Sequence, residues 1–151
     1  MLAGHKGSGK STELMRLQKM LDEGEHRYFV VFCKADDDID RNDVDFPEVL
    51  MALVRQMATQ LKDRAGIELK PGYFRDRWQR LSKIMKSEID FENITLAAGM
   101  LEISSTIKNS PDARTKIREF LEPDTSNWLN AANEVIKEAV LELHKKGYEG
   151  L

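Results

Sequence analysis

Residues 4–11 read Gly4-His5-Lys6-Gly7-Ser8-Gly9-Lys10-Ser11, and this stretch fits the pattern G-x-x-x-x-G-K-[ST] at every fixed position. Its glycines let the backbone approach a polyphosphate closely and adopt the unusual angles that point several N–H groups at one anion. The Lys10 ammonium suits the β- and γ-phosphates and would act catalytically there, while the Ser11 hydroxyl suits a bridging Mg²⁺ ion. We therefore predict a phosphate-binding loop that consists of Gly4, Gly7, Ser8, Gly9, Lys10, Ser11 and Thr12.

The sequence around this loop predicts a helix after it and then a strand. Leu14, Leu17 and Leu21 recur at helical spacing, and Gly24 is placed to end the helix. The run 28–33 is apolar and rich in β-branched and aromatic residues, as a buried parallel strand would be. Only residues 1–3 precede the loop, which is too short for the strand expected there, so we expect either a truncated edge or a piece of a longer protein.

Length and composition predict one domain over residues 1–151, with 41% hydrophobic and 32% charged residues. The formal net charge of −3 gives no overall basic field, so nucleic acid is not indicated as a partner. We find neither an apolar run of about 20 residues, as a membrane span needs, nor a signal peptide. The single cysteine, Cys33, cannot form an internal disulfide and is expected in the core. These features favour a cytoplasmic protein.

The acidic run from Asp36 to Asp45 allows two interpretations. In the first, the strand end delivers Asp36 or Asp37 to Mg²⁺ as a Walker B analogue. In the second, which we favour, the run is a solvated connection that ends by capping the next helix. A calcium loop is excluded, because the glycine and the glutamate that such a loop needs are missing.

The rest of the chain predicts mainly helices. One begins near Phe46 and ends at Gly66, and another, over 74–85, carries an apolar stripe among basic residues. We interpret that stripe as core, with stacking on nucleic acid as the alternative. The segment 93–108 is interpreted as a hairpin around Ala98-Gly99, with part of a poor helix as the alternative. A further helix starts at Ser110-Pro111, and the last, starting near Asp124, carries a long buried stripe that ends at Gly147.

Several of these features resemble an AAA-type or STAND-type P-loop ATPase domain. They are the loop with its continuation Thr12-Glu13-Leu14, the acidic run with 42–46, and the segment 109–119 followed by the long last helix. The resemblance implies an α/β, P-loop NTPase-like fold that is helix-rich, with an incomplete parallel sheet and a helical insertion. It also implies ATP and Mg²⁺ as cofactors. In that family the last helix leads into the Walker B strand, and this sequence stops about where that strand would begin. Walker B, the sensor residue and the arginine finger have no matching positions, so we expect a fragment of a larger ATPase.

Three functions remain open from the sequence. The first is ATP binding as part of an ATPase that couples ATP binding and hydrolysis to a conformational change in a protein partner or in the remaining ATPase domains. The second is a nucleotide-binding module without turnover. The third, which we rank last, is a small-molecule kinase, which would need an acceptor site and a lid.

Overall fold

The computed structural model describes residues 9–69, 72, 80 and 96–151. Within these ranges the chain is mainly helical, and residues 28–34, which we call the extended segment, lie between the first two helices. The α-helices are α1 (Lys10–Glu23), α2 (Ala35–Asp38), α3 (Phe46–Ala65), α4 (Leu96–Asn109), α5 (Pro111–Leu121) and α6 (Thr125–Lys145), and a 3₁₀ turn, Glu122–Asp124, joins α5 to α6.

Helix α3 is the centre of the fold, and local signals set both of its ends. Asp45 and Glu48 form a capping box at the start, where Pro47 occupies the first turn. Gly66 ends the helix with a positive φ of 61°, which residues other than glycine adopt only at a cost. The predicted helix from Phe46 to Gly66 is thus confirmed.

The hydrophobic core forms where α3 packs against α4, α5 and α6. Trp128 of α6 is almost fully buried, and its ring meets that of Phe120 edge-on at 5.9 Å. The other large side chains that are nearly inaccessible to solvent are Phe29, Leu61, Met100, Ile103, Ile107, Ile117 and Leu121. Burying each of them contributes roughly 1.5–3 kcal/mol by removal of apolar surface from water.

The predicted α/β fold with a parallel sheet is wrong for the part of the chain that the structure describes. Those residues contain no β-strand, and the segment 28–33 forms only an isolated parallel bridge, between Tyr28 and Gly150. The segment is extended, but a strand needs a neighbouring backbone to pair with. Here side chains of α1 and α3 take that place instead.

The predicted hairpin around Ala98-Gly99 is also wrong, because residues 96–109 are one helix. Met100, Ile103 and Ile107 are spaced by three and four residues, and all are buried against the core, so the helical period prevails over the turn tendency of glycine. The helix start at Ser110 is confirmed, since its side chain accepts a hydrogen bond from the Ala113 N–H group at 3.2 Å.

The last helix agrees with the prediction in its extent, and its stripe is buried in part. Val135, Ala139 and Leu143 are fully buried, whereas Leu129 and Ile136 are exposed. The predicted helix over 74–85 lies outside the described residues except at Arg80.

Candidate phosphate-binding site

The predicted loop meets helix α1 at Gly9. This glycine has φ 78° and ψ 5°, a left-handed conformation that favours glycine, and α1 begins at the next residue, Lys10. The first intrahelical hydrogen bond runs from the Glu13 N–H group to the Gly9 carbonyl at 3.0 Å. The N–H groups that precede it in a helix have no intrahelical acceptor, and the helix dipole adds positive charge at this end.

The hydroxyl-bearing residues Ser11 and Thr12 lie exposed in the first turn of α1, as the sequence predicted for a loop that leads into a helix. Glu13, in the same turn, would repel an anion, but its carboxylate lies 3.3 Å from the Arg16 guanidinium, which offsets its charge. Both side chains are well exposed. Gly4, Gly7 and Ser8 lie outside the described residues, so the structure bears on the helical end of the motif.

Helix α1 differs from the other described α-helices in that its apolar face is only partly covered. None of its fourteen residues, all within the described part of the chain, is buried. Leu17 is 47% exposed and Met20 is 60% exposed, and Leu14 and Leu21 are also exposed. The helix predicted from the leucine spacing is confirmed, but the leucines do not enter the core.

Polar side chains of α3 pair with the backbone of the extended segment. The Gln60 side chain accepts from the Phe32 N–H group at 3.1 Å and donates to the Phe32 carbonyl at 3.0 Å. Gln56 makes the same exchange with Lys34, at 2.7 Å in both directions. Residues four apart on a helix are about 6 Å apart, and residues two apart on an extended chain about 6.7 Å. The two glutamines therefore match the spacing of a strand edge.

Val30 is the point where α1 and α3 meet on this segment. Its N–H group donates to the Asp22 carboxylate of α1 at 2.9 Å. Its carbonyl accepts from Gln18 of α1 at 3.2 Å and from Arg64 of α3 at 2.6 Å. Arg64 also donates to the Asp22 carboxylate, and its guanidinium lies 4.4 Å from the centre of the buried Phe29 ring.

A pocket of about 360 Å³ lies between α1, the extended segment and α3. Its lining combines apolar and polar side chains, namely Met15, Gln18, Phe32, Lys34, Asp37, Arg55, Gln56, Thr59 and Gln60. Met15 follows Ser11 by four residues, which is about 6 Å along a helix axis. The pocket thus lies beside α1 rather than at its first turn.

The acidic run does not behave as a strand end. Asp38 is buried in α2, where its carboxylate accepts from Arg55 at 2.6 Å and from Gln56 at 2.5 Å. The Arg55 Nε atom lies 2.5 Å from the other Asp38 oxygen, although its N–H direction is poor for a hydrogen bond. Asp36 pairs with Arg41 at the surface, and Asp37 lines the pocket. The capping role predicted for the end of the run is confirmed.

Two arginines of α5 form ion pairs with Asp43 of the acidic run, and the sequence analysis did not predict this pairing. The Asp43 carboxylate accepts from Arg114 at 2.7 Å and from Arg118 at 2.8 Å. Arg118 also donates to Glu48 at 2.8 Å. The hydrogen bonds from Arg114 and Arg118 hold the pKa of Asp43 below its ordinary value of 3.8. About seventy residues separate these partners, so no local pattern could have indicated the pairing.

The prediction that Cys33 lies in the core is wrong, because its side chain is exposed. Partial burial of its sulfur and the nearby Asp38 carboxylate raise the pKa of the Cys33 thiol above its ordinary value of 9.0. The thiol is therefore protonated near neutral pH, which makes it a poor nucleophile.

Comparisons of the chain with protein-family models, with curated proteins and with solved structures find no match. Among the described residues, no helix is long and apolar enough to cross a membrane. The same residues contain no group of three or more His, Cys, Asp or Glu side chains arranged to hold a metal ion. The residue types at the start of α1 nevertheless fit a magnesium-bound phosphate, since Ser11 offers an exposed hydroxyl there.

Proposed function

We propose that this chain binds the phosphates of a nucleoside triphosphate, ATP with Mg²⁺, through residues 4–12. The observation that carries the proposal is the complete phosphate-loop pattern directly followed by α1, with Gly9 in a left-handed conformation at the junction. Lys10 would bind the β- and γ-phosphate oxygens, and the Ser11 hydroxyl would bind the metal. Mg²⁺, when bound, would neutralise phosphate charge.

The resemblance implies a larger protein, an AAA-like or STAND-like ATPase in the cytoplasm. In that protein, ATP binding would bias the conformation of a protein partner or of the remaining ATPase domains. Whether γ-phosphate cleavage follows depends on a carboxylate that reaches the metal. Of the two candidates for that role, Asp37 lines the pocket beside α1 rather than its first turn, and Asp36 is engaged by Arg41 at the surface. This engagement supports a second candidate function, nucleotide binding without turnover.

The test of binding is a calorimetric titration of the chain with magnesium-loaded ATP. We expect Lys10→Ala to weaken binding about 10- to 100-fold, because a hydrogen bond to a charged group contributes roughly 1.5–3 kcal/mol. Lys19→Ala is the matched control. Lys19 lies exposed on the same helix, 3.9 Å from Glu23, so its loss removes a charge of the same sign away from the first turn.

Equal affinities in the parent chain and in Lys10→Ala would refute the proposal, and so would equal losses in both lysine variants, since they would indicate non-specific attraction. Phosphate release, measured with chain and nucleotide at equal concentrations, separates the two candidates. Turnover above background would remove the non-catalytic one.

A further inference from the structure

Helix α1 is attached to the rest of the described chain mainly by polar contacts. Its fourteen residues include no buried side chain. An isolated helix of about 12–15 residues is marginal in water, so α1 depends on its contacts for stability. Those contacts include the Asp22 and Gln18 interactions with Val30 and a hydrogen bond from the Tyr28 N–H group to the Leu21 carbonyl at 3.0 Å.

The contact of Asp22 with Arg64 is an ion pair. One carboxylate oxygen accepts from the Val30 N–H group at 2.9 Å, and the other accepts from Arg64. Arg64 is itself fixed, because its guanidinium lies over Phe29, which is fully buried. Asp22 therefore connects α1 to the core through two different partners.

The position of Asp22 within α1 is unfavourable for the helix alone. It lies in the last turn, where the helix dipole is negative and a carboxylate is repelled. The contacts with Arg64 and Val30 must outweigh this repulsion for the helix to hold the observed arrangement. The Asp22 carboxylate therefore stabilises the contact of α1 with the rest of the described chain and does not stabilise the helix by itself.

We propose that Asp22 is a positioning residue for nucleotide binding, acting through α1. Lys10 and Ser11 belong to the same helix, and their arrangement exists only while α1 is formed. Nucleotide affinity is then reduced by the fraction of molecules in which α1 is undocked and frayed. Linkage requires the reciprocal effect, so a phosphate bound at the first turn stabilises the contacts at the last turn. This inference rests on the proposed function.

The experiment compares Asp22→Ala with Glu23→Ala, a neighbouring carboxylate in the same turn that contacts only Lys19 among the described residues. Titration with magnesium-loaded ATP is expected to show weaker binding for Asp22→Ala, by at most about ten-fold, the limit set by the loss of a charge-assisted contact. Glu23→Ala should bind like the parent chain. Asp22→Asn, which keeps an acceptor for Val30 but loses the charge next to Arg64, should fall between them.

Hydrogen exchange provides a readout that a structural defect elsewhere would not reproduce. We expect amides of α1 to exchange faster in Asp22→Ala than in Glu23→Ala, amides of α3 to be unchanged, and ATP to slow the α1 amides in the parent chain. If Asp22→Ala does not fold, Asp22→Asn carries the same comparison. If the Asp22 variants bound ATP as tightly as the parent chain, the positioning role of Asp22 would be refuted and the proposed function would not be affected. If titration of the parent chain with magnesium-loaded ATP gave no heat of binding, the proposed function would be refuted, and the positioning role of Asp22 with it.

Discussion

Replacing Gln56 with alanine tests whether the amides of α3 take the place of a strand partner. The change removes three contacts, two with the Lys34 backbone at 2.7 Å and one with the Asp38 carboxylate at 2.5 Å. Each backbone contact contributes about 1 kcal/mol and the contact with the carboxylate at least about 1.5 kcal/mol. Alanine recovers about 0.4 kcal/mol as a better helix former. Because Lys34 can be partly rehydrated, we expect a loss of about 2–3 kcal/mol.

The assay is equilibrium unfolding in urea, followed by far-UV circular dichroism and by the fluorescence of the chain's tryptophans. Gln60→Ala removes the two contacts with Phe32 and a longer one from Arg64 at 3.5 Å, so it should cost about 1.5–2 kcal/mol, less than Gln56→Ala. Thr59→Ala is the matched control, since Thr59 lies between the glutamines on α3 and its side chain forms no hydrogen bond among the described residues. If both glutamine variants matched this control within about 0.5 kcal/mol, the reasoning would be refuted.

Two further predictions concern the acidic run and the end of α3. The pKa of Asp43 is lowered in the folded chain, so its contribution to stability is present above pH 3.8 and is lost as pH falls below that value. Asp43→Asn should flatten this part of the curve of unfolding free energy against pH, and an unchanged slope would contradict the assignment. Gly66→Ala should lower stability by about 1 kcal/mol, a drop of about 2–4 °C in Tm, because φ is 61° there. Gly72→Ala, where an added Cβ meets nothing within 4 Å, should have little effect, and equal shifts in both variants would count against backbone strain.

Helices with local end signals could be predicted from the sequence. Three helix ends are set by residues within one turn of them, and the structure places the ends there. These are the start of α3 at Asp45 and Pro47, its end at Gly66, and the start of α5 at Ser110 and Pro111. Such signals work because caps and backbone restrictions depend on the nearest turn of the chain and not on the tertiary fold.

The strand and the hairpin could not be predicted correctly for two different reasons. A strand depends on a distant partner, and the apolar run 28–33 does not reveal that Gln60 would pair with Phe32 within it and Gln56 with Lys34 directly after it. The hairpin was wrong because Gly99 was interpreted as a turn, although Met100, Ile103 and Ile107 already showed helical spacing.

The candidate site could be predicted only in its local part. The loop pattern and the helix after it lie in one stretch of sequence, and the structure shows that helix beginning at Lys10. The contacts of Asp22 with Arg64 and of Asp43 with Arg114 join residues far apart in the chain. Such pairs form only once the helices have packed, so composition and spacing do not indicate them.

The most direct measurement of phosphate binding is an amide chemical-shift titration of the isotopically labelled chain with magnesium-loaded ATP. The account predicts saturable shifts concentrated at the amides of residues 7–12, with smaller shifts at Asp22 and Val30 and none in the core of α6. Shifts confined to the pocket between α1 and α3, or no shift at millimolar nucleotide, would contradict it.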